Sequence, residues 1–377
     1  MSPVSETMVR AGSSQAVSAT ASCGSVSNGE DGAVDVDSGL SALRRVAFLL
    51  ERELAPTYRV KAFRGCAAII EALPPDELAD VLATNRLTDL SGIGPKTSAV
   101  FLTAASGKTP EYLVELESHP APDAGVGSAL LAALRGDLHL HSDWSDGGSP
   151  ILEMARTAAE LGHEYASLTD HSPRLTVARG LSPERLRQQL EVVAQVNQQV
   201  APFRLLTGIE VDILDDGSLD QDDELLAQLD VVVASVHSKL RMDSAAMTQR
   251  MVAAVANPLT NVLGHCTGRM VMGERKRPES TFDADLVFEA CRQFDVAVEV
   301  NSRPERLDPP KRLLRQAVER GCLFSIDTDA HAPGQLDWQA FGCERAALCE
   351  VPIERVVNTW PLAELLEWST NSPNKLR

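Results

Sequence analysis

The chain has 377 residues, of which 44% are hydrophobic and 23% are charged, a composition typical of a globular protein with two or three domains. Its apolar runs are broken by charge or proline before the roughly 18 residues that a membrane span needs, so we expect no transmembrane helix. The net charge of −18 disfavours a protein that binds nucleic acid through a broad basic surface, but it does not exclude a local contact with nucleic acid.

The seven cysteines indicate free thiols. They are odd in number and scattered, and the sequence contains no CxxC pair. This pattern disfavours both a disulfide framework and a cysteine-ligated zinc module. A reducing compartment is the simplest interpretation, and we predict a cytoplasmic protein.

Residues 1–38 are predicted to form a disordered tail. The segment is rich in Ser, Ala, Gly and acidic residues, which cannot bury enough apolar surface to fold. It also lacks the basic start and the apolar core of a secretory signal.

Residues 40–118 are predicted to form a small all-α module. Apolar residues recur at helical spacing in LSALRRVAFLLEREL, RVKAFRGCAAIIEAL and PPDELADVLAT, and the turn LSGIG then leads into a helix that starts at Pro95. Main-chain amides around Gly92 and Gly94 could hold a phosphate at this helix N-terminus. A tight link between two packed helices would explain the same glycines. The all-helical setting, however, favours a helix-hairpin-helix motif, which contacts the DNA backbone.

Residues 119–135 are interpreted as a linker that passes into a helix, and from residue 136 to residue 368 apolar strands alternate with helices. Seven such alternations favour an α/β barrel, in which functional groups collect at the C-terminal ends of the strands. The predicted strands are DLHL, YASLT, FRLLTGIEV, VVVASVH, NVLGH, VAVEV and LFSID.

Six of the eight histidines lie at the C-terminal end of a predicted strand, which scattered surface histidines would have no reason to do. Because residues two apart in a strand face the same side, His139 and His141 can chelate one ion, and Leu138 and Leu140 face the opposite side of the strand. The same alternation pairs Asp329 with His331. Any one histidine alone is more simply a core or cap residue, but the set is better explained as a metal cluster. The candidate ligands are His139, His141, Asp146, His171, Glu210, His237, His265, Asp329 and His331.

Nine nitrogen and oxygen ligands without cysteine suit Zn, Mn or Fe. If one carboxylate bridges, they can hold three ions with positions left open for water and substrate, and open positions indicate catalysis. Asp170, directly before His171, is predicted to support a ligand or cap a helix rather than bind an ion. Asp143, Asp212 and Asp327 are placed outside the ligand set in the same way.

The motifs DLHLHSDWSDG, LTDHS, GIEVDIL, SVHSKL, LGHCTGR and DTDAH together resemble the PHP (polymerase and histidinol phosphatase) family of metal-dependent phosphoesterases. The resemblance implies a distorted (β/α)7 barrel with three divalent ions. Aspartate at position 146, where many small-molecule phosphatases of the family have histidine, shifts the expected metal towards manganese. By resemblance, His139, His141, Glu210 and Asp329 would hold one ion, Asp146, His171 and His331 a second, and Glu210, His237 and His265 a third, with Glu210 bridging.

Other segments are similar to bacterial family X DNA polymerases. LGHCTGRMVMGER, VEVNSRPERLD and VVNTWPLAELLEW resemble their C-terminal PHP domain, and RVKAFRGCAAIIEALP with LTDLSGIGPKTSA resembles their N-terminal DNA-end-binding domain. The second match implies DNA contacts at Gly92, Gly94 and Lys96. The polymerase palm and fingers, which lie between these modules in the family, are missing, so we expect no nucleotidyl transfer. Val100 stands where lyase-competent members have a lysine, which disfavours a lyase role.

The ligand set and the resemblance predict hydrolysis of a phosphate ester. Arg269, which follows a ligand strand, is predicted to place its guanidinium on the substrate phosphate, although an ion pair at the barrel rim would explain it as well. Arg303, Arg306 and Lys239 are further candidates of the same kind.

Three functions remain open. The first is a DNA-directed 3′-phosphatase or 3′–5′ exonuclease in repair, with the helical module binding DNA. Against it, residues 40–118 contain nine Lys or Arg and ten Asp or Glu, so the module has no basic excess. The second is a phosphatase on a small phosphomonoester such as histidinol phosphate or a nucleotide. The third is a non-catalytic DNA-binding or scaffold protein.

Overall fold

The computed structural model describes residues 34–273 and 276–371, and its first unit is a helical module. Helix α1 is capped by Asp35, whose carboxylate accepts a hydrogen bond from the Ser38 amide, and it buries Leu43 and Val46 against its neighbours. Residues 36–38, which were expected to belong to a disordered tail, instead form the first turn of α1, and residues 1–33 of that predicted tail lie outside the described residues. The helices are α1 (Val36–Arg52), α2 (Thr57–Ala72), α3 (Pro75–Ala83), α4 (Pro95–Ala105) and α5 (Glu111–Glu117).

The second unit is a seven-stranded parallel sheet in which each strand pairs with the next strand along the chain. Sequential parallel order requires a crossover after every strand, and these crossovers place helices on the outside of the sheet. The predicted α/β barrel with seven strands is confirmed. The strands are β1 (Gly136–Leu140), β2 (Tyr165–Leu168), β3 (Arg204–Asp212), β4 (Val231–Ser235), β5 (Val262–Leu263), β6 (Ala297–Asn301) and β7 (Phe324–Asp327).

Side chains close the barrel between β1 and β7. The Leu138 amide donates to Asp327 Oδ1 at 2.8 Å, and the Thr328 amide donates to the Asp137 carboxylate at 3.3 Å. Both acids are completely buried, and burial together with the nearby Asp327 raises the pKa of Asp137 to about 8. This junction holds the strand of His139 beside the segment that follows β7.

The N-terminal end of the barrel is filled with side chains. Tyr165 and Val231 are completely buried there with Leu365, and the Tyr165 hydroxyl donates to the Trp360 carbonyl at 2.9 Å. The open end is therefore the C-terminal one. The flanking helices are α6 (Ser128–Ala133), α7 (Ile151–Glu160), α8 (Pro183–Val200), α9 (Asp223–Leu226), α10 (Ser244–Val255), α11 (Ala284–Gln293), α12 (Lys311–Arg320), α13 (Gln339–Leu348) and α14 (Leu362–Asn371), the last reaching beyond the predicted end at residue 368.

The helical module packs directly on the barrel. Helix α1 lies against the 3-10 segment Pro333–Trp338, which follows the candidate ligand His331. The Gly334 amide donates to Glu51 Oε2 at 2.9 Å, and the Trp338 indole donates to the Arg52 carbonyl at 2.9 Å. The two units are thus joined immediately behind the candidate metal site.

Substituting Gly334 tests this junction. An added Cβ would lie 2.0 Å from the Phe48 carbonyl oxygen, so we expect Gly334→Ala to lower the free energy of unfolding by about 1–3 kcal/mol. Denaturant unfolding measures the change. Gly65→Ala is the matched control, because a Cβ at Gly65 meets nothing within 4 Å and alanine favours the helix. Equal midpoints for the two variants would contradict a tight junction.

Two further expectations from the sequence concern membrane-spanning helices and disulfide bonds. Among the described residues, no helix is long and apolar enough to cross a membrane. The six cysteines within the described ranges are buried and form no disulfide, while Cys23 lies outside those ranges.

Candidate metal centre

The candidate ligands converge on Glu210 at the C-terminal end of the barrel. Glu210 lies near the end of β3 and is 1% exposed. Its Oε2 atom is 2.9 Å from His171 Nδ1 and 3.4 Å from His139 Nε2. Its Oε1 atom is 2.8 Å from His265 Nε2 and 3.2 Å from His237 Nε2. One carboxylate therefore faces histidines from both sides, as a bridging ligand would.

A second part of the cluster opens towards solvent. Asp146 Oδ1 lies 3.4 Å from His171 Nε2 and 3.4 Å from His331 Nε2, and its side chain is 38% exposed. His141 Nε2 lies 3.4 Å from Asp329 Oδ1. A substrate entering from solvent would meet this side of the cluster first.

Three sets of these side chains bring ligand atoms within 4.8 Å of one another. Their grouping differs in part from the expected one, because His141 also joins the second set and His171 takes the place of His265 in the third. His265 and Asp329 lie beside the sets, in contact with Glu210 and His141. The sets are His139, His141 and Glu210; His141, Asp146, His171 and His331; and His171, Glu210 and His237.

The donor atoms fit a bound cation. A buried polar atom without a hydrogen bond costs about 1–3 kcal/mol, so several such atoms facing one space need an additional partner. Imidazole nitrogens and carboxylate oxygens are the ligands that first-row divalent ions accept. In the described part of the chain, the buried atoms without a hydrogen-bond partner include His139 Nε2, His141 Nε2, His171 Nδ1, His237 Nε2 and Glu210 Oε2.

The electrostatics also favour positive charge at this place. Burial alone would raise the pKa of the Glu210 carboxyl, but His237, His139 and His171 outweigh it and hold that pKa well below its usual range. Burial alone would lower the pKa of His171, but Glu210 and Asp146 outweigh it and raise that pKa to about 10. The carboxylates therefore stay ionised and available as ligands.

Buried acids hold the histidine rings in place. Glu299 Oε1 lies 2.6 Å from His139 Nδ1, and the Asp212 carboxylate contacts His237 Nδ1. In each ring the other nitrogen, Nε2, faces Glu210. Asp212, which was predicted to lie outside the ligand set, belongs to none of the three sets of close ligand atoms. Sequence reasoning missed Glu299, although an acid inside the apolar strand VAVEV was a signal for it.

Asp170 organises the loop that carries Asp146. It accepts hydrogen bonds from the Ser142 amide at 2.8 Å, the Ser142 hydroxyl at 2.6 Å and the Gln189 side chain at 2.6 Å. This agrees with its predicted supporting role. Asp143 is exposed in the same loop.

Arg269 does not take the place expected for it. Its Nε atom donates to the Arg306 carbonyl at 3.0 Å and its Nη2 atom to the Leu307 carbonyl, so the guanidinium holds main chain instead of lining the cleft. Lys239 is paired with Asp215 at the surface. The geometry favours other arginines as phosphate ligands.

Arg303 and Arg306 face the metal cluster instead. Arg306 Nε is ion-paired with Asp329 Oδ2 at 3.0 Å, and its buried Nη1 atom has no hydrogen-bond partner. Arg303 Nη1 donates to the Asp329 carbonyl at 3.0 Å. Both side chains line a cleft of about 260 Å³ together with Asp146, His171, Leu175, His237, Met270, Asp329 and His331.

The glycine turn of the helical module is well formed, but part of it is already engaged. Gly92 has a φ of +95°, which favours glycine. The Gly94 amide donates to Thr97 Oγ1 at 3.1 Å and so is not free for a phosphate. Lys96 Nζ lies 3.3 Å above the centre of the Tyr112 ring. Among the three residues expected to contact DNA, Lys96 is the charged one, and it is exposed at the surface.

The chain is similar to known proteins over its barrel. Residues 137–302 match the model of the PHP domain. A stretch of 235 residues is 39% identical to the DNA polymerase/3′-5′ exonuclease PolX of Bacillus subtilis and covers 62% of this chain but only 41% of that protein. A probable phosphatase of Thermoanaerobacter sp. is 27% identical over 206 residues, which are 52% of this chain and 78% of the phosphatase.

A solved structure matches the same region. The histidinol phosphate phosphatase of Lactococcus lactis, crystallised with zinc, L-histidinol and phosphate, aligns with a TM-score of 0.43 and 18% identity, over 57% of this chain and 93% of that one. Between α5 and β1 the described chain runs through residues 118–135 alone, which leaves no room for a polymerase palm and fingers. Residues 137–302 thus match the PHP domain, and the described chain has no polymerase domains between this region and the helical module.

Proposed function

We propose that the protein is a metal-dependent phosphoester hydrolase that acts on the 3′ ends of DNA, as a phosphatase or exonuclease in repair. The observation that supports it best is a cleft in which five of the nine candidate ligands meet two arginines and two apolar side chains, with Glu210 and the other histidines of the cluster in contact with these ligands. Three divalent ions of manganese, zinc or iron would suit the nine ligands. When bound, such ions make hydroxide available near neutral pH and stabilise negative charge on phosphate oxygens.

The residues of this chain would divide the work. Glu210 holds the centre of the cluster, and Asp146 with His331 forms its solvent-facing edge. Arg306 has a buried Nη1 atom without a hydrogen-bond partner beside the cluster, and a planar guanidinium matches two phosphate oxygens at once. Arg303 donates a hydrogen bond to the Asp329 carbonyl, and this bond holds a second positive charge beside the cluster.

The residues that line the cleft indicate which chemical group can be attached to the phosphate of the substrate. Its two acids, Asp146 and Asp329, are candidate metal ligands, and Asp329 is also paired with Arg306. Three histidines of the lining are candidate metal ligands as well, and the remaining lining residues are two arginines and the apolar Leu175 and Met270. Leu175 lies on the loop after β2 and Met270 on the loop after β5, three strands away around the barrel. A cationic group such as the ammonium of histidinol finds no uncommitted acid among the described lining residues. A nucleoside, with a neutral sugar and an apolar base face, suits this cleft better.

A substrate panel tests the proposal. The full chain loaded with manganese should be offered 3′-phosphorylated DNA, single-stranded DNA, a nucleotide and histidinol phosphate. We expect turnover of the DNA substrates, and loss of that turnover when a chelator removes the metal. Turnover of histidinol phosphate alone would overturn the DNA assignment, and activity that survives complete metal removal would overturn the hydrolase mechanism.

The charge pattern of the helical module supports a local DNA contact. Arg44, Arg45 and Arg86 are paired with acids. By contrast, Arg59 and Lys96 converge on Tyr112, the first through the phenol oxygen and the second through the ring face, and no described carboxylate lies within 4 Å of either. Lys61 and Lys108 likewise have no acidic partner in the described ranges. A small basic patch can therefore exist in a module without a basic excess.

We predict that an Arg59→Ala, Lys96→Ala double variant binds single-stranded DNA more weakly than the wild type. Each lost phosphate contact should reduce the slope of log affinity against log salt by about 1. Fluorescence anisotropy over a salt series measures this slope. Arg45→Ala is the matched control, because Arg45 is paired with Glu117 on another part of the module. An unchanged slope in the double variant would remove the patch from the proposal. Deleting the whole module is a poorer test, since α1 packs on the barrel.

A further inference from the structure

Glu299 stands between two candidate ligands that come from different strands. It lies on β6 and is completely buried. Its Oε1 atom lies 2.6 Å from His139 Nδ1 on β1, and its Oε2 atom accepts a hydrogen bond from the main-chain amide of His265 after β5. The Asn301 side chain donates to the same Oε2 atom at 3.3 Å. A single carboxylate therefore links β1 to the end of β5 through the barrel interior.

The contact with His139 determines which ring nitrogen is available. A carboxylate accepts and does not donate, so Nδ1 carries the hydrogen and Nε2 keeps its lone pair. That Nε2 atom faces Glu210 Oε2 at 3.4 Å and has no hydrogen-bond partner. A carboxylate on the far side of a ligand histidine fixes the ring orientation and raises its basicity. Glu299 thus prepares His139 to bind a cation.

The contact with His265 replaces a missing part of the sheet. Strand β5 has only two residues, Val262–Leu263, and its ladder with β6 ends there. The Gly264 amide still donates to the Ala234 carbonyl at 2.9 Å, but the next amide, that of His265, donates to the side-chain carboxylate of Glu299 instead of to a main-chain carbonyl of a neighbouring strand. His265 Nε2 in turn reaches Glu210 Oε1 at 2.8 Å. The distance of His265 from Glu210 therefore depends on Glu299.

The other part of the cluster has different supports. Asp170 holds the loop of Asp146 through Ser142, and the His331 amide donates to Gln335 Oε1 at 2.7 Å. Asp212 contacts only one ligand histidine, His237. Among these supporting side chains, Glu299 is the one that contacts two candidate ligands.

We infer that Glu299 is a positioning residue that sets the affinity of the ions bound by His139 and by His265, and that the ion bound by Asp146, His171 and His331 does not depend on it. The inference rests on the proposed metal cluster. It predicts a partial loss of metal when Glu299 is changed, instead of a general one.

The test is metal binding by the full chain. Metal-free wild type and Glu299→Gln are titrated with Mn²⁺ by calorimetry, and bound ions are counted after gel filtration. We expect affinity to fall about 10- to 100-fold for the Glu299-dependent positions, with at least one ion retained at wild-type affinity. The rise in unfolding temperature on adding Mn²⁺ should also shrink. A merely structural role would lower the unfolding temperature equally with and without metal and leave that rise unchanged.

Two matched variants sharpen the result. Asp212→Asn removes the acceptor of His237 alone and should weaken fewer ions than Glu299→Gln, while Glu289→Gln changes an exposed acid paired with Arg292 and should weaken none. Wild-type stoichiometry and affinities in Glu299→Gln would overturn the inference, as would loss of every ion. If wild type itself takes up no ion, the proposed function fails instead. Should Glu299→Gln not fold, Glu299→Asp carries the same test, because the shorter side chain cannot reach both partners.

Discussion

Replacing Glu210 by glutamine is expected to lower the rate of phosphoester hydrolysis by about a thousandfold, because stabilisation of several kcal/mol is lost when a bridging anion is neutralised. Glu210 faces His139 and His171 with one oxygen and His237 and His265 with the other. Removing its charge weakens every ion that it touches, whereas changing a ligand at the edge of the cluster affects one. Steady-state kinetics at saturating manganese, together with ion counting, measure both effects.

The matched control for Glu210→Gln is Asp143→Asn, which neutralises an exposed acid in the loop beside the site that is not a candidate ligand. It should keep wild-type activity and metal content. Circular dichroism of the metal-free proteins checks that both variants fold. Full activity in folded Glu210→Gln would show that this carboxylate does not bridge the ions and would remove the basis of the three-ion assignment.

The sequence predicted the barrel well because its strands are short, apolar and regularly alternate with helices. The same periodicity was less reliable within single strands. Leu138 and Leu140 were expected to face the same way, but Leu138 belongs to the interior cluster with Tyr165, whereas Leu140 belongs to the cluster packed on α7. The ladder between β1 and β2 shifts register between Asp137 and Leu140, and such a shift breaks strict alternation.

The Asp329–His331 pair was expected for a reason that proved wrong. Strand β7 ends at Asp327, and Asp329 has a left-handed backbone with a φ of +52°. The two side chains still lie together, with Asp329 Oδ1 3.5 Å from His331 Nδ1, but a turn brings them there and not strand alternation. Strained backbone at such a position is common beside functional sites.

Long-range contacts were beyond the sequence. Glu299 is four residues before Arg303 and far along the chain from His139, and only the closed barrel brings its carboxylate to that ring. Arg269 was chosen because it follows a ligand strand, yet position along the chain does not say where a long side chain turns. In the structure its guanidinium bonds to the main chain of Arg306, whereas the side chain of Arg306 lines the cleft. Arg306 is therefore the better candidate for the substrate phosphate.

Arg306→Ala is accordingly expected to lower kcat/KM by about 10- to 100-fold, because a charged hydrogen-bond partner contributes about 1.5–3 kcal/mol. Its side chain lines the cleft, its Nε atom is ion-paired with Asp329 Oδ2 at 3.0 Å, and its buried Nη1 atom has no hydrogen-bond partner. Arg306→Lys should recover only part of the loss, since lysine keeps the charge but not the planar fork that matches two phosphate oxygens. The dissociation constant for inorganic phosphate, as a competitive inhibitor, should rise in parallel.

Ion counting separates this role from support of the metal cluster, because Arg306 also pairs with the candidate ligand Asp329. Weaker phosphate binding at unchanged metal content assigns Arg306 to the substrate. Arg312→Ala serves as the control, since Arg312 is exposed and paired with Glu279 at the surface. If Arg306→Ala keeps its affinity for phosphate while Arg269→Ala loses it, the substrate contact returns to Arg269. The guanidinium of Arg269 would then have to leave the carbonyls of Arg306 and Leu307 when substrate binds.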